Sequence, residues 1–509
     1  MEALIGRDES RGRASNQPGG LFSPWRLAVC LALAISGLVY LPALSGQAIW
    51  DDRNLLNSPS TDCRNSFTGC FTTPFLQHYY RPLVTLSFYL DRKLWNGGLF
   101  FYHQTNILLH VLTTAAVIGC GLAAYKSRRI ALLCGLLFAV QPAQVSAVAW
   151  IGGRTDSLCA LWISLFAWTA ILAARSVGAR RGAALAVSVF CFAAAIFTKE
   201  QSLFAIALVP LAFKVWRPEC KPNSSRAIFY ITSLYLGAVI AYAIAFGLVS
   251  PPLPEVVHEG PLFSMLEAPR SVLYYALLLF APSFRWMHTM SLGIFLKMGY
   301  FSVLLGAVTA IGIALSMRWI RRVEPAAAWF LALSISTLVL VLNIEPVPSM
   351  LVSPYRASAA GVGAALFTGW LLARPWQWQT AAEARTRLLA RAQWAGIAAL
   401  LLWQSSLCAG GSGKWQNELT ITSEMLKTDP ACLWIRYNNA IALSTANKPA
   451  GARSRLRGML ADLLGTAGWE RLPHVQAAIS RGALRSRMEQ TQGVAFQPDA
   501  WLAKLYALL

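Results

Sequence analysis

Trp50-Asp51-Asp52-Arg53 stands just past the end of a long apolar stretch, residues 27–46, in a chain that returns to apolar stretches many times afterwards. A helical bilayer crossing takes about 20 apolar residues, so residues 27–46 read as a first membrane span and the Asp pair as lying where the chain leaves the bilayer. Carboxylates at that point have two readings. One is a solvated helix end capped by Asp51 or Asp52; the other is a catalytic base facing a substrate presented by the membrane. Position beside the bilayer favours the second, and with it a membrane-embedded enzyme.

Composition points the same way. Of 509 residues 56% are hydrophobic and 13% charged, with a mean hydropathy of +0.48, which excludes an ordinary soluble protein of this length. A net charge of +21 fits either nucleic acid or a membrane surface, and its placement decides between them. Basic residues cluster in short connectors between apolar stretches: Arg7, Arg11, Arg13 and Arg26; Lys126, Arg128 and Arg129; Arg175, Arg180 and Arg181; Lys214, Arg217, Lys221 and Arg226; Arg318, Arg321 and Arg322; Arg374, Arg385, Arg387 and Arg391. The positive-inside rule makes these cytoplasmic, and no aromatic-basic stripe suggests nucleic acid.

Spans are expected near residues 27–46, 101–124, 130–149, 156–174, 182–198, 202–217, 227–249, 299–317, 326–343, 356–373 and 393–410. These eleven put every basic connector on one side, provided that residues 266–290, with Tyr274-Tyr275, Pro282 and Arg285-Trp286, form a re-entrant or interfacial segment. The predicted organisation is all-α. A cytoplasmic tail (1–26) precedes a polytopic membrane domain (27–410) with large outer loops at 47–100 and 250–298, and a small helical domain (411–509) follows on the outer side. The first span reads as an uncleaved helix. Cys63 and Cys70, both in the first outer loop, are candidates for a disulfide. Trp415–Leu426, Asp429-Pro430, Tyr437-Asn438-Asn439-Ala440 and Leu456–Leu464 resemble tetratricopeptide helix pairing, and so short an array is expected to dock on the membrane domain.

Several further residues fall on the predicted outer face. Tyr80-Arg81-Pro82 comes first. His103, Asn106 and His110 share one helix face at i, i+3 and i+7, lining a cavity or packing between helices. Gly152-Gly153-Arg154-Thr155-Asp156 and Lys199-Glu200-Gln201 sit at outer turns, the latter either functional or a self-paired surface turn. Tyr355-Arg356 opens the tenth span. Arg81, Arg154, Lys199 and Arg356 are cations where the positive-inside rule disfavours them, which calls for an anion; a lipid-linked phosphate or pyrophosphate suits guanidinium forks. Arg53, Arg92, Lys93, Arg270 and Arg285 share that face, where lipid headgroups also attract cations. No glycine-rich phosphate loop, zinc-binding His-Glu-x-x-His, Cys-x-x-Cys or Gly-x-Ser-x-Gly elbow occurs, so nucleotide-driven chemistry is not expected.

Taken together, Trp50-Asp51-Asp52 with Asn57, Tyr80-Arg81-Pro82-Leu83, Asn106-Ile107-Leu108-Leu109-His110, the run Leu137-Phe138-Ala139-Val140-Gln141-Pro142 continuing to Ala147-Val148-Ala149-Trp150 and Gly153-Arg154-Thr155-Asp156, and Lys199-Glu200-Gln201 resemble the GT-C superfamily of polyprenyl-phosphate-sugar-dependent glycosyltransferases. More narrowly, they resemble the transmembrane and tetratricopeptide-repeat (TMTC) O-mannosyltransferases and their bacterial relatives. The resemblance covers most of residues 30–375. It implies transfer of a sugar, typically mannose, from a lipid phosphate carrier to a protein hydroxyl on the outer face, with the family's acidic residue in the first outer loop matched by Asp51 or Asp52. Where the family usually shows His-Pro-x-His-Thr-Glu, this chain reads Gln141-Pro142-Ala143-Gln144-Val145-Ser146, and Pro354-Tyr355-Arg356-Ala357-Ser358 matches the usual Glu-Arg-Tyr segment only loosely.

The expected reaction is a single displacement. Asp51 or Asp52 takes the acceptor's proton, the lipid phosphate leaves toward Arg81, Arg154, Lys199 or Arg356, and the anomeric centre inverts. Tyr80, His103, Asn106, His110, Asp156, Glu200 and Tyr355 are expected to line the cavity. The donor is a polyprenyl-phosphate sugar and the acceptor a protein Ser/Thr or a glycan, with the helical tail available to a protein partner; a divalent-metal requirement stays open. The expected location is a bacterial inner membrane, with active site and C-terminus facing the periplasm. Alternatives are a glycan- or lipid-directed transferase of the O-antigen-ligase kind and a non-catalytic scaffold or transporter.

Overall fold

The computed structural model describes residues 23–57, 66–76, 79–216, 224–250, 261–289, 295, 297–342, 352–374, 384–430 and 432–464. Among them the fold is all-helical, apart from an isolated bridge between Phe75 and Tyr79. Arg7, Arg11, Arg13, Cys63, Arg217 and Lys221, and with them the Cys63–Cys70 pairing, fall outside these residues, as do residues 465–509 of the predicted tail domain.

In chain order the helices are α1 (Pro24–Leu38), α2 (Asp52–Asn57), α3 (Gly69–Thr72), α4 (Pro82–Trp95), α5 (Leu99–Tyr125), α6 (Arg128–Ala139), α7 (Val145–Ala149), α8 (Arg154–Arg175), α9 (Gly178–Ile196) and α10 (Leu208–Trp216). They continue with α11 (Ser224–Val249), α12 (Pro261–Phe280), α13 (Phe284–Met287), α14 (Tyr300–Val323), α15 (Pro325–Leu338), α16 (Ser358–Ala373), α17 (Ala384–Lys414), α18 (Glu418–Thr428), α19 (Leu433–Thr445) and α20 (Pro449–Leu464).

Local chemistry sets many of these ends. Ser23 and Ser127 cap α1 and α6 by accepting from Arg26 N and Ile130 N, and prolines open α1, α4 and α15, where the missing N–H would have no helical partner. Asn96 and Lys126 end α4 and α5 in the left-handed region, at φ 51° and 53°.

Among the described residues six helical segments are each long and apolar enough to cross a bilayer: Pro24–Ser45, Leu99–Tyr125, Arg154–Arg175, Gly178–Ile196, Ser225–Val249 and Tyr300–Val323. They fall on six of the eleven expected spans. The other five take different forms. Residues 130–149 form two helices bent by 46°, because Pro142 removes a backbone donor and bars its predecessor from helix. Residues 202–217 divide into a 3-10 stretch (Glu200–Ala207) and the nine-residue α10. Residues 326–343 and 356–373 hold the 14-residue α15 and 16-residue α16, each joined to a 3-10 turn. Residues 393–410 lie inside the 31-residue α17, whose apolar run Gln393, Gln404, Ser405 and Ser406 interrupt.

The main core joins α5, α6, α8, α9, α10, α15 and α16 around Phe138, Phe166, Phe192 and Phe330. Helices approach closely at small residues, as membrane bundles require where no aqueous driving force operates. A Cβ on Gly135 would collide with Ile118, one on Gly369 with Cys134, and one on Gly363 with the Phe330 carbonyl oxygen. The last is backbone and cannot swing aside. Gly363→Val is therefore expected to force α15 and α16 apart and destabilise the fold by about 1–3 kcal/mol, read as a lowered unfolding midpoint of the detergent-purified protein.

Candidate active site

Beyond α1, the 3-10 turn Leu41–Ser45 carries the chain to Trp50, which adopts φ 46°. That left-handed conformation costs a non-glycine residue about 1–2 kcal/mol. Ring contacts offset it: Trp50 meets Trp150 and Trp415 edge-on, with centroids 5.7 and 5.4 Å apart. The reversal turns Asp52 inward. Its Oδ2 accepts from Ile49 N at 3.0 Å and its Oδ1 from Gly152 N at 2.8 Å, with the residue completely buried. Residue 152 must be glycine, since a Cβ there would lie 2.7 Å from the Trp150 ring and 3.2 Å from the same carboxylate oxygen. Burial pushes Asp52 up to about 8, against the pull of the two amides. Asp51, beside it, is solvent-exposed, and crowding by surrounding protein raises its pKa as well.

The turn that holds Asp52 leads directly into α8, whose first residue is Arg154. This arginine is fully buried. Its Nε donates to Asn106 Oδ1 (2.8 Å), its Nη1 to Asp91 Oδ2 (2.6 Å) and the Ser87 carbonyl (3.5 Å), and its Nη2 to the Tyr102 carbonyl (2.6 Å). The guanidinium also lies over the Phe88 ring at 4.4 Å. The donors that the sequence reading offers to a ligand phosphate thus meet protein acceptors.

The other cations that the sequence reading groups with Arg154 also meet protein groups. Arg81 makes a two-point pair with Glu200, at 3.1 Å for one arm, and lies 4.1 Å over the Tyr79 ring. Lys199 Nζ donates to buried Asp156 at 2.5 Å. Lys199 and Glu200 are therefore not a self-paired turn. Arg356 feels the field of Asp156, Tyr355 and Tyr275, and its carbonyl accepts from Gln201. An external anion is thus not needed to explain Arg81, Arg154 or Lys199. Among the described residues, Arg81, Lys199 and Arg356 share one field with Asp156 and Glu200. Tyr355 links this group to the Asp loop: its ring is 5.3 Å from Trp150 and 5.7 Å from Lys199 Nζ.

The three polar residues on α5 are all buried. Asn106 Nδ2 donates to the Trp150 carbonyl at 2.8 Å, His110 Nε2 bonds the Ala139 carbonyl at 3.1 Å and its ring contacts Tyr40 and Phe138, and His103 abuts Gly46. Tyr80 is buried, its hydroxyl donating to the Phe71 carbonyl. Gln141, Gln144 and Ser358 bond one another between α6 and α16: Gln144 Nε2 donates to Gln141 Oε1 at 2.9 Å, and Ser358 Oγ to Gln144 Oε1 at 2.6 Å. Among the described residues no group of three or more His, Cys, Asp or Glu side chains converges to hold a metal ion.

Sequence reasoning missed Asp91, whose Oδ1 accepts from Thr105 while Oδ2 accepts from Arg154. It also missed Trp415, buried against Trp50 and Trp150. A buried arginine at the head of an apolar helix demands a carboxylate somewhere; that was the available signal for Asp91.

No family model matches the chain. It is 36% identical over 152 residues to the mouse (Mus musculus) protein O-mannosyl-transferase TMTC1, covering 27% of this chain and 16% of that protein. It is 32% identical over 211 residues to Drosophila melanogaster Tmtc1 (39% and 24%), and 24% identical over 266 residues to a Caenorhabditis elegans protein O-mannosyl-transferase (50% and 37%). The chain thus spans well under half the length of these curated relatives. Among solved structures it is similar to ArnT from Cupriavidus metallidurans bound to undecaprenyl phosphate, at 14% identity over 81% of this chain and 79% of that one with a TM-score of 0.45. It is also similar to the Archaeoglobus fulgidus oligosaccharyltransferase tethered to an acceptor peptide, at 14% identity over 84% and 59% with a TM-score of 0.46. The sequence relatives of this chain are protein O-mannosyl-transferases of the TMTC type, the group that its motifs resemble.

Proposed function

We propose that this chain is a membrane glycosyltransferase that moves a sugar, mannose by its relatives' names, from a lipid-phosphate carrier to a protein hydroxyl at the outer membrane face. The observation that carries this reading is the juxtaposition of the Asp51-Asp52 loop with the cluster of Arg81, Lys199 and Arg356 around Asp156 and Glu200, joined through Trp150 and Tyr355. A basic carboxylate and a phosphate-stabilising field at one bundle end are what an in-line displacement from a phosphate leaving group requires.

The two aspartates divide the work. Asp52 is completely buried with each oxygen engaged by a backbone amide, so it holds the loop; Asp51 is accessible and serves as base. The acceptor O–H proton passes to Asp51 as the oxygen bonds the anomeric carbon. The carbon–phosphate-oxygen bond breaks, and its electron pair leaves with the lipid phosphate toward Arg356 and Lys199. Attack opposite the leaving group inverts the anomeric centre.

An apolar groove supports a lipid-linked donor. It encloses about 420 Å³ between α12, α14 and α15, lined by Val272, Leu279, Ala314, Met317 and Leu338 among others, with Tyr275 on its wall. Tyr275 donates to the Ser353 carbonyl at 3.5 Å and lies in the field of Arg356. An isoprenoid tail in this groove would bring its phosphate to the cation group.

Asp51→Asn is expected to lower transfer by about 100-fold or more while leaving donor binding intact, measured with a lipid-phosphate sugar and an acceptor peptide; full activity in that variant would overturn the assignment. Ala314→Trp, which fills the groove, is expected to raise the donor KM with little change in kcat. A pH dependence follows from Asp52. Its folded pKa of about 8 lies above the ordinary 3.8, so proton binding favours the folded state; that contribution is complete below the ordinary value and is lost as pH rises through the folded one. The unfolding midpoint is expected to fall between about pH 4 and about pH 8, and Asp52→Asn is expected to flatten that fall.

A further inference from the structure

We propose that Asp91, Thr105, Asn106 and Arg154 form a positioning device for the Asp52 loop, and that Arg154 acts through the 150–153 turn and makes no contact with the donor phosphate. The kinetic part of this inference rests on the transfer reading above; the structural part does not.

The bonds run as one chain. Thr105 Oγ1 on α5 donates to Asp91 Oδ1 on α4 at 2.8 Å, and Asp91 Oδ2 accepts from Arg154 on α8 at 2.6 Å. Arg154 Nε then fixes the Asn106 carbonyl oxygen at 2.8 Å, which orients Nδ2 of the same amide toward the Trp150 carbonyl at 2.8 Å and that of Ile151 at 3.4 Å. Those two carbonyls belong to the peptide units leading into Gly152, and the Gly152 N–H holds Asp52.

Both Asp91 oxygens are engaged, and Arg154 meets four protein acceptors. A network so fully satisfied away from water has one low-energy arrangement, and loss of one member leaves the others exposed to the full cost of unpaired burial. Ile151, fully buried against Leu55, Val84, Phe88 and Tyr102, anchors the turn from its apolar side. The device therefore spans three helices and delivers their relative position to one amide proton on Asp52.

The test uses the full-length protein in detergent or nanodiscs, with hydrogen–deuterium exchange of residues 49–55 and 147–153 followed in Asp91→Asn and in the milder Thr105→Val. Both variants should speed exchange in those two segments about 10-fold or more and leave α14 at the wild-type rate. Asp91→Glu should restore part of the protection. If Asp91→Asn does not fold, Thr105→Val decides. Unchanged exchange in the folded variants overturns the proposal, whether or not the wild type transfers sugar. Where transfer is measured, kcat should drop about 10- to 100-fold with donor KM kept; a rise in donor KM alone in Arg154→Lys would place Arg154 at the phosphate and overturn its assignment here. Faster exchange in a wild-type background that shows no transfer would uphold the device and count against the transferase reading instead.

Discussion

A guanidinium with no exposure to solvent, set in a bundle of apolar helices, has to be surrounded by acceptors, because an uncompensated buried charge costs several kcal/mol. Arg154 meets that demand with Asp91, Asn106 and the carbonyls of Ser87 and Tyr102. The acceptors come from α4 and α5, and the arginine itself opens α8, so one charge dictates how three helices converge. The constraint passes through Asn106 to the turn before α8, and from Gly152 to the only carboxylate of the Asp pair that the fold encloses.

Asp52, the 150–153 turn, Tyr355 and Lys199 follow one another through direct contacts, and Glu200, next to Lys199 in the chain, pairs with Arg81. The opposite ends of α5 and α8 meet at a different basic turn, where Arg175 donates to the Ala124 carbonyl at 2.9 Å. Between them the helices approach at Gly135, Gly363 and Gly369, and Gln141, Gln144 and Ser358 satisfy one another. A motif position that carries imidazoles in the resembled family is here a neutral amide pair, closed on itself against α16. Arg81, Lys199 and Arg356 gather around Asp156 and Glu200 beside that pair's helices.

Much of this was legible from residue pattern. Long apolar runs with basic connectors are strong signals because crossing a bilayer fixes both length and composition, and the Asp pair was marked by its position at a span's end. Shorter elements were harder, since a run such as 202–217 has the same composition whether it forms one span or a 3-10 stretch followed by a nine-residue helix. Asp91 was hidden for another reason: flanked by Leu90 and Arg92-Lys93, it reads locally as part of a solvated helix end, and only the approach of α8 reveals its partner. Likewise Arg81, Arg154 and Lys199 were read as calling for a lipid-linked phosphate, and distance along the chain does not disclose that Glu200, Asp91 and Asp156 pair with them. Hydrogen bonds between residues 43 or 119 positions apart are properties of packing.

The helical tail is tied to the same loop, which bears on how the site is ordered. Trp415 is almost wholly buried against Trp50 and Trp150, the Gln47 N–H donates to the Gln416 carbonyl at 2.8 Å, and Arg53 pairs with Glu418 at 3.1 Å. Arg53 is half exposed, so the ion pair adds little; the three indoles carry the contact, each aromatic pair contributing about 0.5–1.5 kcal/mol beyond its burial. Trp50 is also the residue held at positive φ. The strain that aims Asp52 inward is thus offset partly by a side chain from the junction of α17 and α18, and the loop's conformation depends on both the Arg154 knot beneath it and the tail above. Residues 47–53 are thus held from two sides that meet at Trp150, and under the proposed mechanism these contacts position the segment that carries Asp51.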